Sequence, residues 1–170
     1  QNILISWINV RNVCVSAVPG SGKTTSALCI AKQYSRKKIL LLTYSRSLKE
    51  ETDEKIKKEK IKNMEVRSFH SFYVRYYGTS YTDTKLRELL EKNTQPKDRK
   101  KFRYDIIIID ECQDMTDLYF EAVIKILRNS EPNYKICILG DQHQAVFCFK
   151  GSDNRFLTMA NEIFNVNEFK

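Results

Sequence analysis

The chain has 170 residues and a mass of 20.0 kDa, one domain's worth of polypeptide and too little for a multi-domain machine. Hydrophobic residues at 42% and aromatics at 11% suffice for a core, and 29 Lys and Arg against 21 Asp and Glu give +8, which points to an anionic partner. Five scattered cysteines without a C-x-x-C pair argue against a disulfide scaffold or a zinc site, and no apolar run approaches the ~18 residues of a membrane span. The start, QNILISWINV, lacks the pattern of a signal peptide, so the expectation is a soluble intracellular protein, nuclear or cytoplasmic, with no membrane partner.

In chain order, residues 1–9 suit a short amphipathic helix, and Val13–Val18 a buried strand bounded by Pro19-Gly20. A helix is predicted over 23–36 with Leu28, Ile30 and Ala31 inward, then a strand over 39–43 and a charged, exposed helix over 46–62. Residues 64–67 read as a short strand, 69–77 as a helix with a Phe/Tyr face, and 84–92 as another helix. Residues 93–101, with Pro96, read as a loop. Asp105–Ile109 is a central parallel strand by its continuous apolar run, 117–129 a helix, 134–139 a strand and 153–164 a last helix. Strands alternating with helices specify an α/β fold with a parallel sheet.

Charge is uneven along this order. Residues 1–105 hold 23 basic and 11 acidic side chains; residues 106–170 hold six and ten.

Ala17-Val18-Pro19-Gly20-Ser21-Gly22-Lys23-Thr24 lies between a predicted strand and a predicted helix, the setting of a phosphate-binding loop. Gly20 and Gly22 let the backbone curl so that its N–H groups face phosphate oxygens, and the next helix, through Thr25, adds its positive end. Lys23 would reach the outer phosphates and the Thr24 hydroxyl would ligate Mg²⁺. The pattern's first position is Ala17 rather than Gly.

Asp110-Glu111 closes the Ile106–Ile109 run, placing two carboxylates at the carboxyl end of a central strand, where open α/β sheets bind ligands. Nucleotide hydrolysis needs one carboxylate for Mg²⁺ and one to orient and deprotonate water; Asp110 suits the first role and Glu111 the second. Gly140-Asp141-Gln142-His143-Gln144 repeats this placement after another strand, so that Gln144 can act as a polar γ-phosphate sensor. His70 and His143 lack metal-ligand spacing.

In chain order these motifs resemble superfamily 1 helicases of the UvrD/Rep type: AVPGSGKT is similar to motif I, LTYSRS to motif Ia, VRSFHSF to the TFHSF element, IIIIDECQD to motif II and LGDQHQAVFCFKGSD to motif III. The likeness spans roughly residues 10–156 and implies a RecA-like P-loop fold binding ATP and Mg²⁺. It implies that Lys23, Glu111 and Gln144 serve catalysis and that Thr24 and Asp110 hold the metal. Single-stranded DNA, RNA being open, would meet Tyr44, His70, Phe147, Phe149 and Lys150, and Gln1 would read the adenine. Every base has a π-face, so aromatic contacts of this kind are blind to sequence. Departures are Arg46-Ser47 where Asn-Lys is usual, Cys112 for a small Ala, and Lys150 for Arg.

The resemblance also implies a short helical and loop insertion at about 78–103 in place of a larger subdomain, and a second motor domain that would follow residue 170. The expectation is therefore the first motor domain of an ATP-dependent 3′→5′ DNA helicase or translocase, weakly active by itself. Two other classes stay open: a nucleic-acid-binding or regulatory module without useful ATPase activity, and a P-loop kinase, which the DECQD box and Gln144 disfavour.

Overall fold

A computed structural model describes residues 2–18, 20–78, 82–130, 133–141, 153 and 155–164. Its centre is a five-stranded, wholly parallel sheet of β1 (Val13–Ser16), β2 (Ile39–Thr43), β3 (Met64–Ser68), β4 (Ile106–Ile109) and β5 (Lys135–Gly140). The strand order is β1-β5-β4-β2-β3. β4 lies between β5 and β2, with Ile106 opposite both Lys135 and Ile39, so its four isoleucines are buried on both faces.

Alternation along the strands divides the core into two. Ile39, Leu41, Ile106, Ile108, Cys137 and Leu139 face one way, toward α1 (Asn2–Ile8), α2 (Lys23–Gln33) and α3 (Arg46–Lys58). Leu40, Leu42, Ile107, Ile109, Ile136 and Ile138 face the other. They meet α4 (Phe69–Tyr77), α5 (Asp83–Glu91) and α6 (Asp117–Asn129), joined by α7 (Arg155–Thr158) and α8 (Ala160–Ile163). Helices cover both faces of the sheet, the α/β architecture expected of the sequence.

Differences from the sequence reading fall at element ends, and several have local causes. β1 stops at Ser16, and the Ala17 N–H makes a further bond to β5, to Gly140 O (2.9 Å), before the chain enters the loop. α2 ends at Gln33, short of 36: Tyr34 leaves the helical region, and its hydroxyl donates to Ile5 O (2.7 Å), tying α1 down. α3 ends at Lys58 rather than 62, where Lys60 takes a left-handed φ of 55° and the chain turns into β3. The last helix, expected over 153–164, is two short helices split at Met159. Residues 93–101, read as loop, pass into a 3₁₀ turn at Arg99–Phe102 that buries Phe102 among Phe72, Tyr76 and Tyr77. Among the described residues no helix is long and apolar enough to cross a membrane.

Candidate functional site

Three chain segments converge at the carboxyl ends of β1, β4 and β5. The first is the β1–α2 loop. Gly20 (φ 71°) and Gly22 (φ 88°) both take left-handed backbone, which an L side chain would strain, and the Ser21 N–H donates to Val18 O (3.2 Å). Gly22 is the N-cap of α2, so no side chain covers the first-turn N–H groups at the positive end of that helix. Lys23 opens the helix, with Thr24 half-buried behind it and Thr25 exposed. The Lys23 side chain is 9% exposed and folds over the loop, its Nζ donating to Ala17 O at 3.2 Å. An apolar cleft of about 410 Å³ leads from this loop toward α1, lined by Ile3, Leu4 and Trp7.

The second segment follows β4. Asp110 is buried, and one of its oxygens accepts the Glu111 N–H at 3.0 Å. Burial first, then the neighbouring Glu111 charge, pushes its carboxyl up to about 6; the Glu111 N–H and Lys23 oppose that rise only in part. Glu111 itself adopts a left-handed φ of 54°, uncommon for a non-glycine residue, which turns its carboxylate toward Lys23 at 4.0 Å. The 3₁₀ turn Cys112–Asp114 then buries Cys112 and Gln113. Asp114 Oδ1 is also buried and accepts no hydrogen bond among the described residues; burial and Glu111 raise its carboxyl above the ordinary range.

The third segment is the end of β5. The Asp141 N–H donates to Gln113 Oε1 (3.0 Å), and Gln113 Nε2 donates to Glu111 Oε2 (2.7 Å). Gly140 is needed at this junction, since a Cβ there would stand 2.8 Å from Gln113 Oε1 and 2.9 Å from Leu157 Cδ2. Gln113, Gly140 and Asp114 stand inside motifs recognised in the sequence, but no role was assigned to them there. An amide two residues after Glu111 was the available signal, and its meaning depends on β4 and β5 being neighbours.

The donor set fits a nucleotide with Mg²⁺. A buried carboxylate with one hydrogen-bond donor, Asp110, stands at the end of β4, and Lys23 and a half-buried threonine hydroxyl, Thr24, stand in the uncapped first turn of α2. Hard oxygen ligands suit Mg²⁺, and the helix start with Lys23 suits phosphate oxygens. Among the described residues no group of three or more His, Cys, Asp and Glu side chains forms a metal site of its own.

A second surface lies at the carboxyl ends of β2 and β3. Tyr44, Arg46, Lys49, Glu50, Arg67, His70 and Arg75 line a groove of about 770 Å³. Four cations face one carboxylate there, and each is tethered: Arg46 to Glu50 (2.8 Å), Lys49 to Asp53 (2.6 Å), Arg67 and Arg75 to Glu65 (2.8 and 3.7 Å). The Tyr44 ring packs on Phe69 (centroids 4.9 Å) and edge-on to Tyr119 (5.2 Å), with its hydroxyl buried and unbonded among the described residues. His70 Nε2 stands 3.0 Å from Asp83 Oδ1, which also accepts from the Tyr119 hydroxyl (2.8 Å).

The structure thus brings together Ala17, Gly20, Ser21, Gly22, Lys23, Thr24, Asp110 and Glu111, and places Tyr44 and His70 on the separate groove. Gln1, Pro19, Gln144, Phe147, Phe149 and Lys150 lie outside the described residues.

No match to this chain was found among curated proteins. The family model of an AAA domain matches residues 1–150. With a phosphate-type loop and a carboxylate pair meeting on a parallel sheet inside that span, the chain belongs to the AAA domain family, a P-loop, ATP-binding type of domain found in UvrD/Rep-like helicases and related P-loop proteins.

Proposed function

We propose that the chain binds ATP with Mg²⁺ and hydrolyses it, as the first motor domain of an ATP-dependent 3′→5′ helicase or translocase acting on single-stranded DNA. The observation that carries this reading is the approach of Lys23, at the start of α2, to Glu111, at the end of β4, across a distance of 4.0 Å. These groups are 88 positions apart in the chain and are brought together only by the sheet.

In this reading the loop N–H groups and Lys23 hold the β- and γ-phosphates, and Thr24 and Asp110 supply oxygen ligands to Mg²⁺. Bound Mg²⁺ would neutralise phosphate charge and the buried Asp110 carboxylate together. Glu111 orients a water and takes its proton as the water oxygen attacks the γ-phosphorus. The bond from that phosphorus to the bridging oxygen breaks, and ADP leaves with the electron pair. Gln144 would sense the γ-phosphate and Gln1 the adenine.

The cationic groove supports the nucleic-acid half of the reading. Its arginines and lysine can exchange their intramolecular carboxylates for backbone phosphates, a sequence-blind and salt-dependent attraction. His70 lines the groove and Tyr44 shapes its wall, and Phe147, Phe149 and Lys150 would add aromatic and cationic contacts to the strand.

Glu111→Gln tests the motor reading. The variant is expected to bind Mg-ATP as the unaltered chain does and to lose single-turnover hydrolysis by at least about 10²-fold. Unchanged hydrolysis would remove Glu111 from the role of base.

A further inference from the structure

We propose that Gln113 is the positioning residue that fixes the Glu111 carboxylate and couples it to the carboxyl end of β5. The inference rests on the reading of Glu111 as the base. It adds a link from that base to the segment leading toward Gln144.

Gln113 is 2% exposed, and both ends of its amide are engaged. On one side it meets a backbone N–H, that of Asp141, which can only donate; the amide atom facing it must be Oε1 (3.0 Å). That contact settles the orientation of the amide. Nε2 is then directed at Glu111 Oε2 (2.7 Å), as a donor to a carboxylate oxygen. A reversed amide would set oxygen against oxygen on the Glu111 side and N–H against N–H on the Asp141 side. The fork therefore has one satisfied state.

Two further features make the bridge rigid. Gly140 leaves room for Oε1, since a Cβ would come within 2.8 Å of it. Glu111 takes a left-handed φ of 54°, and its N–H is tied to Asp110 Oδ1 (3.0 Å), which fixes the backbone from which its side chain leaves. The carboxylate oxygen bound by Gln113 is the one that faces Lys23 at 4.0 Å. Gln113 thus holds one Glu111 oxygen, leaving the other to address a water. A displacement of the β5 end, relayed through Asp141 N–H and Oε1, would rotate the amide and move the base with it.

The test uses the whole 170-residue chain with Gln113→Met, which keeps side-chain length and removes both hydrogen bonds. Expected are a fall in kcat for ATP of about 10²-fold and a KM within twofold, since positioning acts on the transition state rather than on nucleotide binding. A second readout is independent of turnover: hydrogen exchange of the Gln113 side-chain amide, followed by NMR. In Glu111→Ala that exchange should accelerate at least tenfold while the Asp141 backbone amide stays within twofold. An unchanged kcat in Gln113→Met, or unchanged Gln113 exchange in Glu111→Ala, overturns the assignment. Full hydrolysis by Glu111→Gln would instead sink the reading of Glu111 as base, with the exchange result still deciding whether Gln113 holds it.

Discussion

Lys23 Nζ stands between two oxygens, 3.2 Å from Ala17 O and 4.0 Å from Glu111 Oε2, so one ammonium bridges the phosphate loop and the carboxylate strand end. Neither contact is a strong ion pair, and the side chain is nearly buried. A phosphate oxygen can displace both partners without breaking a saturated network, which leaves the cation available to a polyanion.

Burial of Asp110 gives a pH dependence whose sign can be worked out. Its carboxyl is raised from 3.8 to about 6, so the fold favours the protonated form. The stabilisation is complete below about pH 4 and is lost as pH rises through about 6, a difference of up to roughly 3 kcal/mol. Without divalent cations, Tm should fall by several degrees between pH 5 and pH 7.5. Asp110→Asn should flatten that slope and raise Tm at pH 7.5 while weakening Mg²⁺-dependent nucleotide binding. An identical slope in the variant would show that another group carries the effect.

Gly140→Ala places a methyl group against both Gln113 Oε1 and Leu157. Overpacking of this kind is expected to destabilise the fold by about 1–3 kcal/mol, read from urea denaturation. It should also lower ATP turnover by displacing Gln113. Stability and turnover matching those of the unaltered chain would mean that the junction relaxes freely.

On the opposite side of the sheet edge, Glu65 anchors a network. Its Oε2 accepts from the hydroxyls of Tyr76 (2.8 Å) and Tyr104 (2.7 Å), and its Oε1 pairs with Arg67 (2.8 Å). Burial pushes this carboxyl up, but the bonds from Arg67, Tyr104 and Tyr76 outweigh it and the net shift is downward. Stability from Glu65 is therefore present above the usual carboxylate range and lost as pH falls through the lowered value. Glu65→Ala should destabilise by about 1–3 kcal/mol at pH 7: Tyr76 and Tyr104 stand 2.8 Å apart and one can donate to the other, which leaves one hydroxyl short of an acceptor and Arg67 without its carboxylate. The loss should shrink in acid; a pH-independent loss would refute the charged role.

Much of this was legible in the residues. The Ile106–Ile109 run read as a central strand because a strand buried on both faces has no polar positions, and α6 falls on its expected 117–129 bounds. Lys23, Asp110 and Glu111 were readable because each follows a strand with a fixed chemical task. Gln113 was not: its role comes from the β4–β5 adjacency, which no local pattern encodes. Tyr44 was singled out by the likeness of LTYSRS to motif Ia, but not as a ring held by Phe69 and Tyr119, since those partners come from α4 and α6.

For the groove, Arg46→Ala and Arg75→Ala should each weaken single-stranded DNA binding and reduce the slope of log K against log salt by somewhat under one unit. Fluorescence anisotropy at several salt concentrations measures this. Slopes identical to that of the unaltered chain would place the strand elsewhere.

The central claim is that the Ala17–Thr25 loop and the Asp110–Glu111 strand end form one ATP–Mg²⁺ site. Its most direct measurement is equilibrium binding of a fluorescent ATP analogue, with and without Mg²⁺, to the unaltered chain and to Lys23→Ala. The account predicts Mg²⁺-dependent binding that Lys23→Ala weakens by at least about tenfold, the loss of one charge-assisted phosphate contact. Equal affinity in the two proteins, or binding indifferent to Mg²⁺, would contradict it.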